Sequence, residues 1–114
     1  MIFEELSEYK KDLKKLLKKY HSLNDDIKIV KKVLKVFPNE RPPFSYQIEG
    51  LRIKTCVIKV KKIACKALKG KGVISGMRLI YAYFEDEKRI VFIELYYKGN
   101  KENEDRDRIV KCFK

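Results

Sequence analysis

Residues 78–97 read RLIYAYFEDEKRIVFIELYY. Two runs rich in aromatic and β-branched residues, 78–84 and 90–97, flank the polar stretch EDEKR, and this pattern predicts a β-hairpin closed by a tight turn. Both runs are apolar on both faces, as expected for central strands of a sheet. One carboxylate, Glu94, interrupts the second run. A charge in such a strand must be paired or functional. A structural ion pair, with Arg78 across the hairpin as its named partner, stands beside a functional role.

Outward from the hairpin, residues 52–60 and 63–68 are further strand candidates. "PNERPPFSY" (38–46) is a loop stiffened by Pro42 and Pro43. Before it, Tyr9, Leu13, Leu16, Leu17, Tyr20 and Leu23 recur at helical spacing, with lysine pairs on the other face and Ser7 as the expected N-cap. A second helix is expected after Asn24, its cap. Asp25 and Asp26 stand in its first turn, Ile27, Val30, Val33, Leu34 and Phe37 form its buried stripe, and Pro38 ends it. The short connection makes the two an antiparallel helical hairpin. Residues 2–6 can form a short edge strand, and the charged C-terminal stretch, anchored by Ile109, Val110 and Phe113, a short final helix. The expected fold is α+β, a single domain over 1–114. A helical hairpin packs on one face of a twisted antiparallel sheet of about four strands, and the other face is free for a ligand.

The chain of 114 residues is long enough to bury a core, and 45% apolar content argues against disorder. No apolar run approaches the roughly 18 residues of a membrane helix. "MIFEELSEYKK" lacks the apolar stretch of a signal peptide, so a cytoplasmic protein is expected. Cys56, Cys65 and Cys112 are widely spaced, with no CxxC pair, and the single His21 lies far from all three. This pattern gives a zinc site no support and suits small, mostly buried hydrophobes. Neither a metal nor a cofactor is expected.

The distribution of the +12 charge says more than its sum. Residues 1–49 hold 11 cations and 8 acids, and residues 85–114 hold 8 of each. Residues 50–84 hold nine cations and no acid: Arg52, Lys54, Lys59, Lys61, Lys62, Lys66, Lys69, Lys71 and Arg78. Such a stretch repels itself unless an anion comes to it. Because the cations fall on strands and in the loop "KALKGKGVISG", helix-in-groove readout of DNA is not the natural fit. Alternation puts Lys59 and Lys61 on one face, while Lys62 breaks the pattern as a bulge would. Gly70, Gly72 and Gly76 permit close approach of a ligand to the backbone. Most nearby aromatic residues are expected in the core. Tyr96 and Tyr97, at the strand end beside Lys98, are the candidates for base stacking, and cations with a few rings suit single-stranded RNA. Metal-free RNA cleavage would then rest on Lys, Arg, Tyr or Glu. Clustered lysines can lower one another's pKa enough to supply a base, and arginine can grip two phosphate oxygens.

The helix pattern "KDLKKLLKKYHSL", the strand "SGMRLIY" and the following "IELYYKGNKE" together resemble the toxins of type II toxin–antitoxin systems, in the HigB-like branch of the RelE/ParE superfamily. The resemblance covers nearly the whole chain. It implies two helices on a twisted antiparallel sheet, metal-independent endoribonuclease activity on mRNA, usually at the ribosome, and an antitoxin partner that blocks the toxin. It makes Arg78 the phosphate-stabilising arginine, Lys98 and Tyr97 the groups at the end of the next strand, and Lys59, Lys61, Lys62 or Lys66 the strand lysine, with Lys59 and Lys61 the catalytic candidates. Lys62, Lys66, Lys69, Lys71 and Tyr96 become candidates for RNA binding. The C-terminus "DRDRIVKCFK" departs from some relatives in having no tyrosine or histidine. Gyrase poisons of the same fold, or a plain RNA-binding protein, are the alternatives.

Overall fold

The computed structural model describes residues 1–68 and 75–114. The elements run β1 (Ile2–Glu5), α1 (Ser7–Leu17), α2 (Leu23–Val36), β2 (Ser45–Gln47), β3 (Cys56–Val60), β4 (Met77–Phe84), β5 (Arg89–Tyr97) and α3 (Arg106–Phe113). The fold is α+β, with a sheet in the order β1-β5-β4-β3-β2.

The sheet corrects the expected one in two ways. Among the described residues it has five strands, and it is mixed, because β1 lies parallel to β5 while the other neighbours are antiparallel. A parallel neighbour needs a long crossover, and here nearly the whole chain separates the pair. The fifth strand, β2, lies in the stretch read as a loop and pairs with β3 through Ser45↔Val60 and Gln47↔Ile58. Residues 63–68 form no strand. Ile63 and Cys65 are buried in the core under the helices, so their apolar spacing reflects packing and not pairing.

The helix caps also differ. Leu6 takes the N-cap position of α1, and the Ser7 hydroxyl donates to the Glu8 carboxylate at 2.8 Å. Ser22 takes that position in α2, and its Oγ donates to Asp26 Oδ2 at 2.7 Å. Among the described residues no helix is long and apolar enough to cross a membrane.

A β-bulge sets the faces of β5. The register steps from Ile80↔Glu94 to Tyr81↔Phe92, so Ile93 is the extra residue. A bulge re-aims the side chains that follow it. Ile90, Phe92, Leu95 and Tyr97 therefore meet the α1 and α2 side, with Ile58, Val60, Met77, Leu79 and Tyr81. Val91, Ile93 and Tyr96 join a second cluster with Val57, Ile80, Ala82 and Ile109 of α3. The second face, expected to be free for a ligand, is thus largely covered. Leu51 and Ile109 cover its centre, with Phe113 packed against them. One end carries Tyr46, Lys59, Lys61 and Arg78, whose side chains are exposed or half-buried, and the opposite end carries exposed Glu4 and half-buried Arg89, which pair with each other.

Polar contacts hold α3 in place. Arg108 Nη1 donates to Asp12 Oδ2 at 2.7 Å and to the Ile93 carbonyl at 3.0 Å, and the same Asp12 oxygen accepts from the Leu95 N–H at 3.1 Å. One ion pair therefore ties α1 to α3 and satisfies two backbone groups of β5 beyond the end of β1. Asp105 caps α3 by accepting from the Arg108 N–H at 3.1 Å.

Candidate functional site

The open end of the second face is assembled by strand register. Lys59 stands opposite Tyr46 on β2 and Ile80 on β4. Arg78 stands opposite Tyr96 on β5. Lys61 follows β3 by one residue, and its carbonyl accepts from Arg78 Nη1 at 3.0 Å, a nitrogen that also donates to the Met77 carbonyl at 3.2 Å. Arg78 has no carboxylate partner among the described residues. A guanidinium anchored through one nitrogen keeps donors for a second, anionic partner.

The alternative pairing of Arg78 with Glu94 does not form. Glu94 is buried and opposite Ile80. Its Oε2 meets the Lys101 ammonium, and its Oε1 accepts from the Asp105 N–H at 2.8 Å. Glu94 is therefore a structural anchor that fastens the 98–105 segment across the sheet.

Lys59 is paired as well. Its ammonium lies 2.8 Å from Glu104 Oε1, with side chains only 15% and 6% exposed, and Arg106 Nε donates to the other Glu104 oxygen at 3.1 Å. Burial alone would lower the Lys59 pKa, but the hydrogen bond with Glu104 and the Tyr96 hydroxyl beside it outweigh that and raise it. Lys59 is thus held charged, contrary to the expectation that crowded lysines would free a neutral base at this position. For Glu104, burial pushes upward and loses to Lys59, so the carboxyl sits below its ordinary range. Tyr96 is buried, and its hydroxyl has no partner within hydrogen-bond geometry among the described residues. Burial raises its pKa against the downward pull of the adjacent Lys59. A ring so enclosed stacks on no base, which corrects its placement among the RNA-binding residues.

The other expected residues divide. Tyr97 faces the α1 and α2 side, its ring 5.4 Å from that of Tyr20, and so lies across the sheet from Arg78. Gly76, at φ +92°, makes room for this ring and not for a ligand: an added Cβ would come within 3.0 Å of Tyr97 Cε1. Lys98 is exposed at the end of β5, its N–H donating to the Gly76 carbonyl at 2.8 Å, and strand alternation carries it to the Arg78 side. Lys62 and Lys66 line a groove with Ile29, Val33 and Phe44 against α2, away from Lys59. Lys69, Lys71, Gly70 and Gly72 fall outside the described residues.

Three neighbours of the site had not been singled out. Tyr46, Glu104 and Arg106 join Lys59 and Lys61 around a groove of about 190 Å³. Tyr46 hid in a strand of three residues, and Glu104 in a tail whose charges cancel. Among the described residues no three His, Cys, Asp or Glu side chains converge as metal ligands. His21 is exposed in the turn between α1 and α2.

No family model matches the chain, and no curated protein matches it. The chemistry of the site rests on its own residues. An arginine with free donors, a lysine one strand away and a second lysine paired to a carboxylate form a basic end of the second face, suited to phosphate.

Proposed function

We propose that this chain is the toxin of a toxin–antitoxin pair, an mRNA endoribonuclease with a RelE-like fold of the HigB-like branch. It acts on the ribosome without a metal cofactor and is held in check by an antitoxin. The observation that carries this is that Arg78 and Lys61 meet at an open end of the second face, with no carboxylate on Arg78 among the described residues. The charge of the 50–84 segment and the resemblance of "SGMRLIY" and "IELYYKGNKE" to the family support it.

In this mechanism the RNA 2′-hydroxyl gives its proton to solvent and its oxygen attacks the adjacent phosphorus, the bond to the 5′-oxygen breaks and that oxygen takes a proton from solvent, and a cyclic phosphate and a 5′-hydroxyl result. Arg78 binds the phosphate oxygens on which charge grows, as preorganised donors do best where charge develops. Lys61 and Lys98 add cations on either side. Lys59, kept protonated by Glu104, contributes charge and no base.

That same protonated Lys59, with the buried and protonated Tyr96, favours a second reading, binding without cleavage, as in a gyrase poison or a plain RNA-binding protein. Induction in cells separates them. Growth arrest accompanied by internally cut mRNA supports the nuclease. Arrest with intact mRNA and stalled gyrase supports the poison, and salt-sensitive RNA binding without arrest supports the plain binder.

A further inference from the structure

We propose that Tyr46 is a stacking platform for one unpaired nucleobase, with Lys61 and Arg78 holding the phosphate attached to it. This rests on the proposed action on RNA and adds a base-contacting residue to it.

Tyr46 is a large aromatic side chain left 38% exposed, while Tyr81 and Tyr96 of the sheet are buried and Tyr83 and Tyr97 half-buried. It lies on the edge strand β2, opposite Lys59, so its side chain shares the face that carries Lys59, Lys61 and Arg78. The Lys61 ammonium stands 4.8 Å from the Tyr46 ring centroid, and the groove of about 190 Å³ opens beside both. A nucleotide needs a flat apolar face for its base and, one sugar away, cations for its phosphate. Tyr46 and Lys61 supply these two parts at the groove, and Arg78, bonded to the Lys61 carbonyl, adds a second cation beside it.

The platform is held before any ligand arrives. Ser45, buried beneath it, accepts from the Arg41 N–H at 2.9 Å. The Gln47 N–H donates to Glu40 Oε2 at 2.7 Å, and the Phe44 carbonyl accepts from the Lys61 N–H at 2.9 Å. With the backbone fixed on both sides, binding has only two side-chain torsions to order, which keeps the entropic cost low. In the unliganded protein the ring is partnered by the Lys61 ammonium. An exposed cation–π contact is weaker than base–aromatic stacking, so an incoming base can replace the ammonium and release it to the phosphate.

A base within a duplex offers no free face, so the ligand is single-stranded. The test uses a fluorescent single-stranded hexaribonucleotide, a duplex of the same sequence, and wild type, Tyr46→Ala, Tyr46→Trp and Lys61→Ala proteins, with Kd measured across a salt series. Tyr46→Ala is expected to weaken single-strand binding about tenfold while leaving the salt slope unchanged, and Tyr46→Trp to bind at least as tightly as wild type. Lys61→Ala is expected to lower the slope by about 0.7, one phosphate contact. Wild type should prefer the single strand, and Tyr46→Ala should lose that preference. Equal affinity of Tyr46→Ala and wild type, or weakened binding by Tyr46→Trp, overturns the stacking role alone. Failure of wild type to bind the oligonucleotide overturns both it and the proposed action on RNA.

Discussion

Glu104 Oε1 lies 2.8 Å from the ammonium of Lys59, in a contact from which water is largely removed. The partners are 45 residues apart in sequence. One belongs to the cationic strand, the other to the segment that Glu94 fastens over the sheet through Lys101 and the Asp105 N–H. A carboxylate of the chain thus occupies the cation that a phosphate would otherwise seek.

Replacing that carboxylate should expose the cation. Glu104→Gln is expected to raise affinity for a single-stranded oligonucleotide several-fold and to steepen its salt dependence by about 0.7. The same change should cost about 1–3 kcal/mol of stability, because Lys59 loses its partner in a half-buried place. Fluorescence anisotropy and urea denaturation measure the two effects. Unchanged affinity would show that Lys59 is not part of the anion site.

The pair also sets an acid limit. Glu104 is held below its ordinary value of 4.5 in the folded protein. Its stabilising share is therefore present above the unfolded-state value and is lost as the pH falls through the folded one. Urea midpoints measured from pH 6 down to pH 3 should fall more steeply for wild type than for Glu104→Gln. For Lys59 the sign reverses, since its pKa is raised: its share persists through neutral pH and is lost only at strongly alkaline pH. Parallel acid profiles for the two proteins would contradict the pairing.

Ile109 is the only fully buried residue of α3. Ile109→Ala should cost about 2–5 kcal/mol, as buried Ile truncations do. A cost under about 1 kcal/mol in a denaturation midpoint would mean that α3 does not cover the sheet as described.

Gly76 combines φ +92° with a close approach to the Tyr97 ring. Gly76→Ala should therefore destabilise by about 1–3 kcal/mol and change the near-ultraviolet circular dichroism of the Tyr20–Tyr97 pair. A neutral substitution would place the Tyr97 ring elsewhere.

Much of this fold is legible in the chain. The β4–β5 hairpin announces itself through two long apolar runs around a polar turn, and both long helices through their apolar period. What was not legible is non-local. The parallel partner of β1 lies more than eighty residues away, and β2 has only three residues with which to show alternation. The bulge at Ile93 hides in a run apolar on both faces, where a change of phase leaves no trace. For the same reason the cations could be nominated from the acid-free segment, but not sorted. Register puts Arg78, Lys59 and Lys61 together, sends Tyr97 to the far face and buries Tyr96. It brings in Tyr46 and Glu104, which no local pattern marks.

In the proposed function Arg78 binds the phosphate at which RNA is cut. The direct measurement is the mapping of mRNA ends after incubation of purified protein with programmed ribosomes, wild type against Arg78→Ala. Wild type is expected to make cuts that leave 2′,3′-cyclic or 3′-phosphate ends, and a folded Arg78→Ala protein to lose at least a hundredfold in rate, on the scale of a lost charge-stabilising donor. Intact mRNA with wild type, or undiminished cutting by Arg78→Ala, would contradict it.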